Sequence, residues 1–279
     1  MLTLCAMFLT CCVAVAAAQE PMPSAVSAAD SGSVAGFCRS HVVRARMAGV
    51  GATALLDTYL SQEHYNGLSL HVASHSRRVR TDRLWARQTE HEGRIVSADN
   101  RSGDGGTIAA FYNFRYALMR RWHAPLLNGR LSLMAGAAAD ARLGFVYNVR
   151  GSNNPAQAKA SLQIGPNVAA DYTLLRPRGS RAGVVMRYEA WVPLAGVMFS
   201  PRYGQSYYEI FNRGDYDRNV VPVTIAAVPG IRQWLTVDFR CLATVWRVGW
   251  LGDISQSRVN GLKFHCYSHA LMLGVVREL

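Results

Sequence analysis

The feature that most constrains this chain is a set of long stretches in which apolar and polar residues alternate. Between Ala160 and Leu174, the residues Leu162, Ile164, Val168, Ala170, Tyr172 and Leu174 share one face, and Ser161, Gln163, Gly165, Asn167, Asp171 and Thr173 share the other. A period of two marks an extended strand, because successive side chains point to opposite sides. The pattern recurs in Ile108 to Leu118, Val184 to Leu194 and Leu235 to Val245. Such stretches exceed the ~5 to 6 residues usual in soluble sheets, whereas a tilted strand crossing a bilayer takes about 9 to 11.

Charges of both signs interrupt the polar faces: Arg115, Asp140, Arg142, Asp171, Arg187, Glu189, Asp238 and Arg240. An arginine facing hydrocarbon at mid-depth costs roughly 2 to 4 kcal/mol, so these side chains are expected to enter a polar lumen and pair there as a charge network. Only closure of the sheet satisfies every strand edge in lipid. The fold class expected is therefore all-β, an antiparallel transmembrane β-barrel of about ten strands, with about eight to twelve as the bounds. A secreted soluble β-protein is the alternative, and it requires the apolar face to point inward.

Turn-forming clusters such as Asn66-Gly67, Asn128-Gly129, Arg176-Pro177-Arg178-Gly179, Pro229-Gly230 and Asn260-Gly261 divide the chain. They predict strands over 42–56, 67–78, 83–97, 106–121, 130–149, 156–175, 181–198, 219–228, 231–251 and 260–277, with a possible further hairpin around Ser206 to Phe211. Tyr59, Tyr65, Trp122, Tyr147, Tyr207, Tyr208 and Trp250 fall near the predicted strand ends, as an interfacial aromatic girdle requires.

Ahead of the barrel, Met1 to Ala18 has no charged side chain and closes on Ala16-Ala17-Ala18, which reads as a secretory signal. Residues 19–41, rich in Ser, Ala, Gly and Pro, read as a flexible periplasmic lead-in, and 42–279 as the barrel. Beyond the signal, Cys38, Cys241 and Cys266 remain, an odd number without zinc spacing. No metal site and no cofactor are expected.

The composition is 50% hydrophobic and 17% charged, and its 30 basic against 18 acidic residues give +12; Lys159 and Lys263 are the only lysines. On the predicted topology, the turns at the end bearing the termini collect Arg77, Arg78, Arg80, Arg83, Arg120, Arg121, Arg130, Arg176, Arg178, Arg181, Arg232 and Arg277 against Asp82 and Glu278. The opposite loops are expected to hold Asp57 and Asp253 among a slight acidic excess. A basic rim suits anionic headgroups or cell-wall polymer, since arginine binds phosphate through paired charge-assisted hydrogen bonds. The expected partners are outer-membrane lipids and the barrel assembly machinery, with cell-wall polymer as a further candidate. Nucleic acid is not expected for an exported chain, and a monomer is.

Gly49-Val50-Gly51, then Leu56-Asp57-Thr58-Tyr59-Leu60-Ser61, then Tyr65-Asn66-Gly67 resemble a family of uncharacterised outer-membrane β-barrel proteins from Bacteroidetes, in which a Leu-Asp-Thr-Tyr-Leu-Ser segment closes the first hairpin. The resemblance implies a membrane barrel in the cell outer membrane and transfers no activity and no catalytic residue. Asp57, Thr58, Tyr59, Ser61 and Tyr65 form the most distinctive cluster. It is either an ordered loop that covers the mouth or binds a ligand, or a capped hairpin held by Asp57 and Ser61.

An enzyme would need a nucleophile, a base and an orienting group within reach. In His265-Cys266-Tyr267-Ser268-His269 the serine points away from its neighbouring histidines on a strand, so no pair is preassembled, and the histidines are expected in the polar lumen. The function expected is a structural, ligand-binding or narrow-channel (porin-like) role without catalysis; the alternative is a lipid-modifying enzyme resembling lipid A deacylases, with serine and histidine within about 3 Å at one bilayer rim.

Overall fold

The computed structural model describes residues 40–80, 84–123, 130–150, 154–175, 183–241 and 244–278. The segments expected as signal (1–18) and lead-in (19–41) lie almost wholly outside them. The strands are β1 (Ser40–Asp57), β2 (His64–Arg80), β3 (Trp85–Asn100), β4 (Gly106–His123), β5 (Leu131–Asn148), β6 (Ala156–Leu175), β7 (Val184–Trp191), β8 (Ala195–Phe199), β9 (Val220–Thr224), β10 (Gly230–Cys241), β11 (Thr244–Val259) and β12 (Leu262–Glu278). One short helix, α1 (Tyr207–Phe211), lies between β8 and β9.

Each strand pairs antiparallel with its neighbour, and β1 closes on β12. β6 pairs with β7 at one end and β8 at the other, so these two are one wall strand interrupted at Pro193. β9 and β10 form the next wall strand in the same way, pairing with β8 and β7. The wall is thus a closed ring of ten strands.

Following partners once round the wall from His41, through Val79, Ala86, Met119, Gly136, Asn167, Trp191, Arg232, Asp253 and Ser268, returns to β1 at Thr53. The stagger from 41 to 53 is what tilts strands about 35 to 45° to the axis.

The alternation decides which side is greasy. Leu70, Val72, Ile95, Leu143, Ile164 and Leu271 point outward and are between 58% and 68% exposed. The inward set instead includes Glu90, Glu92, Arg94, Arg115, Asp140, Arg232 and Asp253, all 2% exposed or less. A soluble protein places these the other way round; an apolar exterior over a charged interior is the pattern of a membrane barrel.

Three sequence expectations are corrected. Residues 231–251 are not one strand: β10 ends at Cys241, β11 begins at Thr244 as its antiparallel partner, and the sequence between them holds no glycine, proline or asparagine. Segment 219–228 adds no strand of its own: Pro222 sits within β9, and the stretch ending at Pro229 interrupts one wall strand rather than reversing it. The ten-strand ring therefore comes from a different partition. Ser206 to Phe211 is not a hairpin: Ser206 caps α1, its side chain accepting from the Glu209 amide while Glu209 reaches back to the Ser206 amide.

Candidate functional site in the barrel lumen

The largest concentration of chemistry is inside the barrel. At its centre Arg232 donates to Glu90 Oε1 at 2.7 Å, to Glu92 Oε2 at 2.9 Å and to Asp253 Oδ2 at 3.4 Å. Arg94 and Arg142 converge on the same Asp253 at 3.2 and 3.3 Å. Arg115 links Glu90 at 3.3 Å to Asp140 at 3.1 Å, Asn113 donates to Asp140 at 2.9 Å, and the Trp234 indole donates to Glu90 at 3.0 Å. Four guanidinium groups face four carboxylates, so no buried charge stands alone.

Toward the end bearing β1's start and β12's finish, Asp171 accepts from Arg77 at 2.8 Å and from Arg187 at 2.7 Å. Glu189 lies 3.7 Å from Arg77 and accepts from Gln88 at 2.7 Å. Arg247 grips both oxygens of Asp238 at 2.6 Å. At the opposite end Lys159 pairs with Asp57 at 2.9 Å and stands 4.1 Å from the centre of the Phe264 ring.

Apolar layers bracket the network. Leu55, Tyr65, Val96, Phe111, Val146 and Phe264 pack together in one, and Met119, Met134 and Trp191 with small alanines in another. Two arginines reach these layers: Arg94 lies over Phe111 at 5.0 Å and Arg115 over Trp191 at 4.6 Å. Two cavities near Arg142 hold about 30 and about 20 Å³. Each is room for a water or two.

Of the residues expected in the lumen charge network, Arg115, Asp140, Arg142, Asp171, Arg187, Glu189 and Asp238 all join these pairs. Arg240 does not: it is exposed near the end of β10 and forms no ion pair among the described residues. The alternation rule missed the centre of the network. Arg77 and Arg232, expected in terminal-end turns, and Asp57 and Asp253, expected in loops, are all buried in the lumen. The misplacement of Arg232 and Asp253 follows from the missed division between β10 and β11, which shifted both strand ends. For Glu90, Glu92 and Arg94 a signal existed, since they alternate with His91, Gly93 and Ile95 along β3.

The first-loop cluster is placed as hairpin architecture. Asp57 accepts the Tyr59 amide at 3.2 Å, Thr58 accepts the Lys263 amide at 2.8 Å, and Ser61 accepts the Glu63 amide at 3.2 Å. The Tyr59 hydroxyl donates to the Gln205 carbonyl at 3.0 Å, and its ring meets Tyr207 edge-on. Burial foremost, with Asp57 and Glu209 nearby, pushes the Tyr59 hydroxyl above its ordinary pKa. Burial likewise pushes Tyr207 up to about 12. Tyr65 leaves the loop altogether: it points into the lumen, where its hydroxyl accepts from Asn148 at 2.9 Å. Trp250 is likewise no girdle residue, being paired with Leu235 and Leu271 in mid-wall.

One constellation has the geometry of a catalytic set. His71 contacts Glu92 through Nδ1 at 2.9 Å and Ser69 through Nε2 at 2.9 Å, with Ser268 Oγ at 3.4 Å from the same nitrogen. Thr53 bridges the two serines at 2.9 Å. Nucleophile, base and orienter are thus in reach, but Ser69, His71, Glu92 and Ser268 are all 2% exposed or less, and neither cavity touches them. Glu92, the orienting group, is at the same time held by Arg232 at 2.9 Å. His265 and His269, expected in the lumen, face outward instead, His269 stacked on Trp250 at 5.7 Å, because the alternate positions Cys266, Ser268 and Ala270 take the interior.

Fold and lumen together define a membrane-type β-barrel with an occluded, charge-paired interior. The chain belongs to the family described as protein of unknown function (DUF3316), whose model matches residues 2–279. No curated protein matches the sequence. Among solved structures it is similar to the outer membrane protease OmpT from Escherichia coli, at 6% identity over 90% of this chain and 100% of that one, with a TM-score of 0.49. The transport unit of the autotransporter AIDA-I, also from Escherichia coli, matches at 8% identity over 84% and 89%, with a TM-score of 0.42. Neisserial surface protein A matches at 10% identity over 85% and 97%, with a TM-score of 0.35. Likenesses this distant carry no activity across.

Proposed function

We propose that the protein resides in the outer membrane as a closed barrel with a structural or surface ligand-binding role, and that it is neither an open channel nor an enzyme. The observation that carries this reading is the lumen. Among the described residues, Arg77, Arg94, Arg115, Arg142, Lys159, Arg187, Arg232 and Arg247 are matched by Asp57, Glu90, Glu92, Asp140, Asp171, Glu189, Asp238 and Asp253. Ten-stranded walls enclose little more than the volume such side chains fill. A conducting path would have to break several pairs at once, leaving charges buried and uncompensated.

Four measurements test this. Membrane fractionation and heat-modifiable migration in detergent gels should show a folded outer-membrane barrel. In planar bilayers the purified protein should give no steady openings, and reproducible single-channel currents would end the closed-lumen reading. Unchanged lipid A acylation in cells expressing the protein is expected, and loss of an acyl chain dependent on Ser69 would revive the enzymatic alternative.

A further inference from the structure

The lumen pairs cancel, so the +12 of the sequence lies elsewhere. Arg277 on β12, Arg44 and Arg46 on β1, Arg78 on β2, Arg87 on β3 and Arg120 on β4 all point out of the barrel near the end that carries the termini, and all are exposed. These are five consecutive strands of the wall. None of the six arginines forms an ion pair with a described residue. The register aggravates the repulsion: Arg44 lies directly opposite Arg277, and Arg78 directly opposite Arg87. Like charges so placed are destabilising unless an anion sits between them.

The other half of the same ring is different. At the same end of the remaining strands the outward wall positions include the register pairs Trp122–Leu133, Tyr172–Met186 and Phe239–Trp246, with no charge among them. Trp85 is the cross-strand partner of Arg120, and the Arg120 guanidinium lies 5.8 Å from the Trp122 ring. The arginines therefore stand at the height of an aromatic girdle, which is where headgroups lie. In an even-stranded outer-membrane barrel the termini, and this ring with them, face the periplasm.

We infer that the half-ring of outward arginines binds the phosphodiester headgroups of anionic phospholipids in the periplasm-facing leaflet. The inference rests on the outer-membrane reading above and names the partner of one side of the wall. A phosphate accepts paired hydrogen bonds from two guanidinium groups and cancels the repulsion between cross-strand arginines. Among the described residues the outward wall positions of the other half offer no paired guanidinium groups, so bound anionic lipid is expected to favour the β12–β4 side.

The test is reconstitution of the full chain into phosphatidylcholine vesicles containing a minor fraction of phosphatidylglycerol, with retained lipid counted by native mass spectrometry. Wild-type protein should retain phosphatidylglycerol over phosphatidylcholine by about tenfold after correction for bulk composition. The variant Arg44→Gln/Arg78→Gln/Arg87→Gln/Arg120→Gln should fall to near parity, while the loop variant Arg101→Gln/Arg150→Gln should match wild type. If the quadruple variant does not assemble, Arg78→Gln and Arg87→Gln singly should each lower the preference, by up to roughly fivefold.

Absence of any preference in wild type, or its persistence in these variants, overturns the inference. So does stoichiometric retention of an acidic protein at this face in place of lipid. Failure of the wild-type chain to insert into either vesicle brings down the outer-membrane reading as well, whereas normal insertion without lipid preference brings down only the lipid site.

Discussion

Arg232 shows how much one side chain can hold in a low-dielectric interior. It bridges Glu90, Glu92 and Asp253, which come from two different strands on opposite sides of the lumen. Replacing it with leucine should cost about 3 to 5 kcal/mol in urea unfolding from detergent, because three buried carboxylates lose a shared partner. Arg202→Ala, which removes a half-exposed pair with Asp215 in the long loop, should cost below about 1 kcal/mol. Equal costs for the two would show that the lumen network contributes nothing special.

Glu209 supplies the pH-dependent case. The Ser206 amide donates to its carboxylate at 2.8 Å, and that hydrogen bond, with a second from the Ser206 hydroxyl at 3.0 Å, holds its pKa below the ordinary glutamate value. A depressed carboxylate stabilises its cap above the unfolded pKa and loses that contribution as pH falls through the folded one. The Ser206 amide resonance should therefore stay in place as pH drops to about 4.3 and move only below it. A midpoint at or above that value would mean the capping box is not formed in solution.

At the scale of elements, the glycines show where neighbouring strands come too close for a side chain. A Cβ added at Gly49 would sit 2.1 Å from the Leu271 carbonyl oxygen, backbone that cannot yield. At Gly93 the nearest atom is the Val72 Cγ2, at 3.2 Å, the end of an outward side chain. Gly49→Ala should destabilise the barrel by about 1 to 3 kcal/mol and raise the unfolded band in unheated gels, while Gly93→Ala should be near neutral. The same strands show where punctuation misleads. Pro193 and Pro229 lack amide hydrogens and interrupt two adjacent wall strands near one place, Pro193 Cγ lying 3.7 Å from the Cβ position of Gly230. Read alone, Pro229-Gly230 looks like a reversal. The chain between β10 and β11, which pair antiparallel, has no such residues.

For the molecule as a whole, the inside-out arrangement makes one optical prediction. Trp250 faces outward in mid-wall, whereas Trp191 and Trp234 are 3% and 2% exposed in the lumen. Brominated acyl chains should quench the fluorescence of Trp250 strongly and leave the lumen pair nearly untouched, as read by comparing wild type with Trp250→Phe. Quenching that is unaffected by that substitution would contradict the assignment of faces. The first-loop cluster belongs to this scale too. Asp57 does not cap a free-standing hairpin: it anchors Lys159 from across the barrel, a contact that exists only once the sheet has closed.

The sequence by itself determined the strand class, the length that exceeds a soluble sheet and the face that carries charge, because a period of two is a local property that every few residues restate. It also pointed to Arg115, Asp140, Arg142, Asp171, Arg187, Glu189 and Asp238, but not to the Arg232 centre of the network. Only the tertiary structure decided who meets whom: Glu90 on β3 finds Arg232 on β10, 142 positions away, through a stagger no short window contains. Closure, too, separated the arginines cancelled inside from those left on the outer face of β12 to β4. Which side of a strand an arginine takes is set by parity, but whether a carboxylate stands opposite is set by the ring.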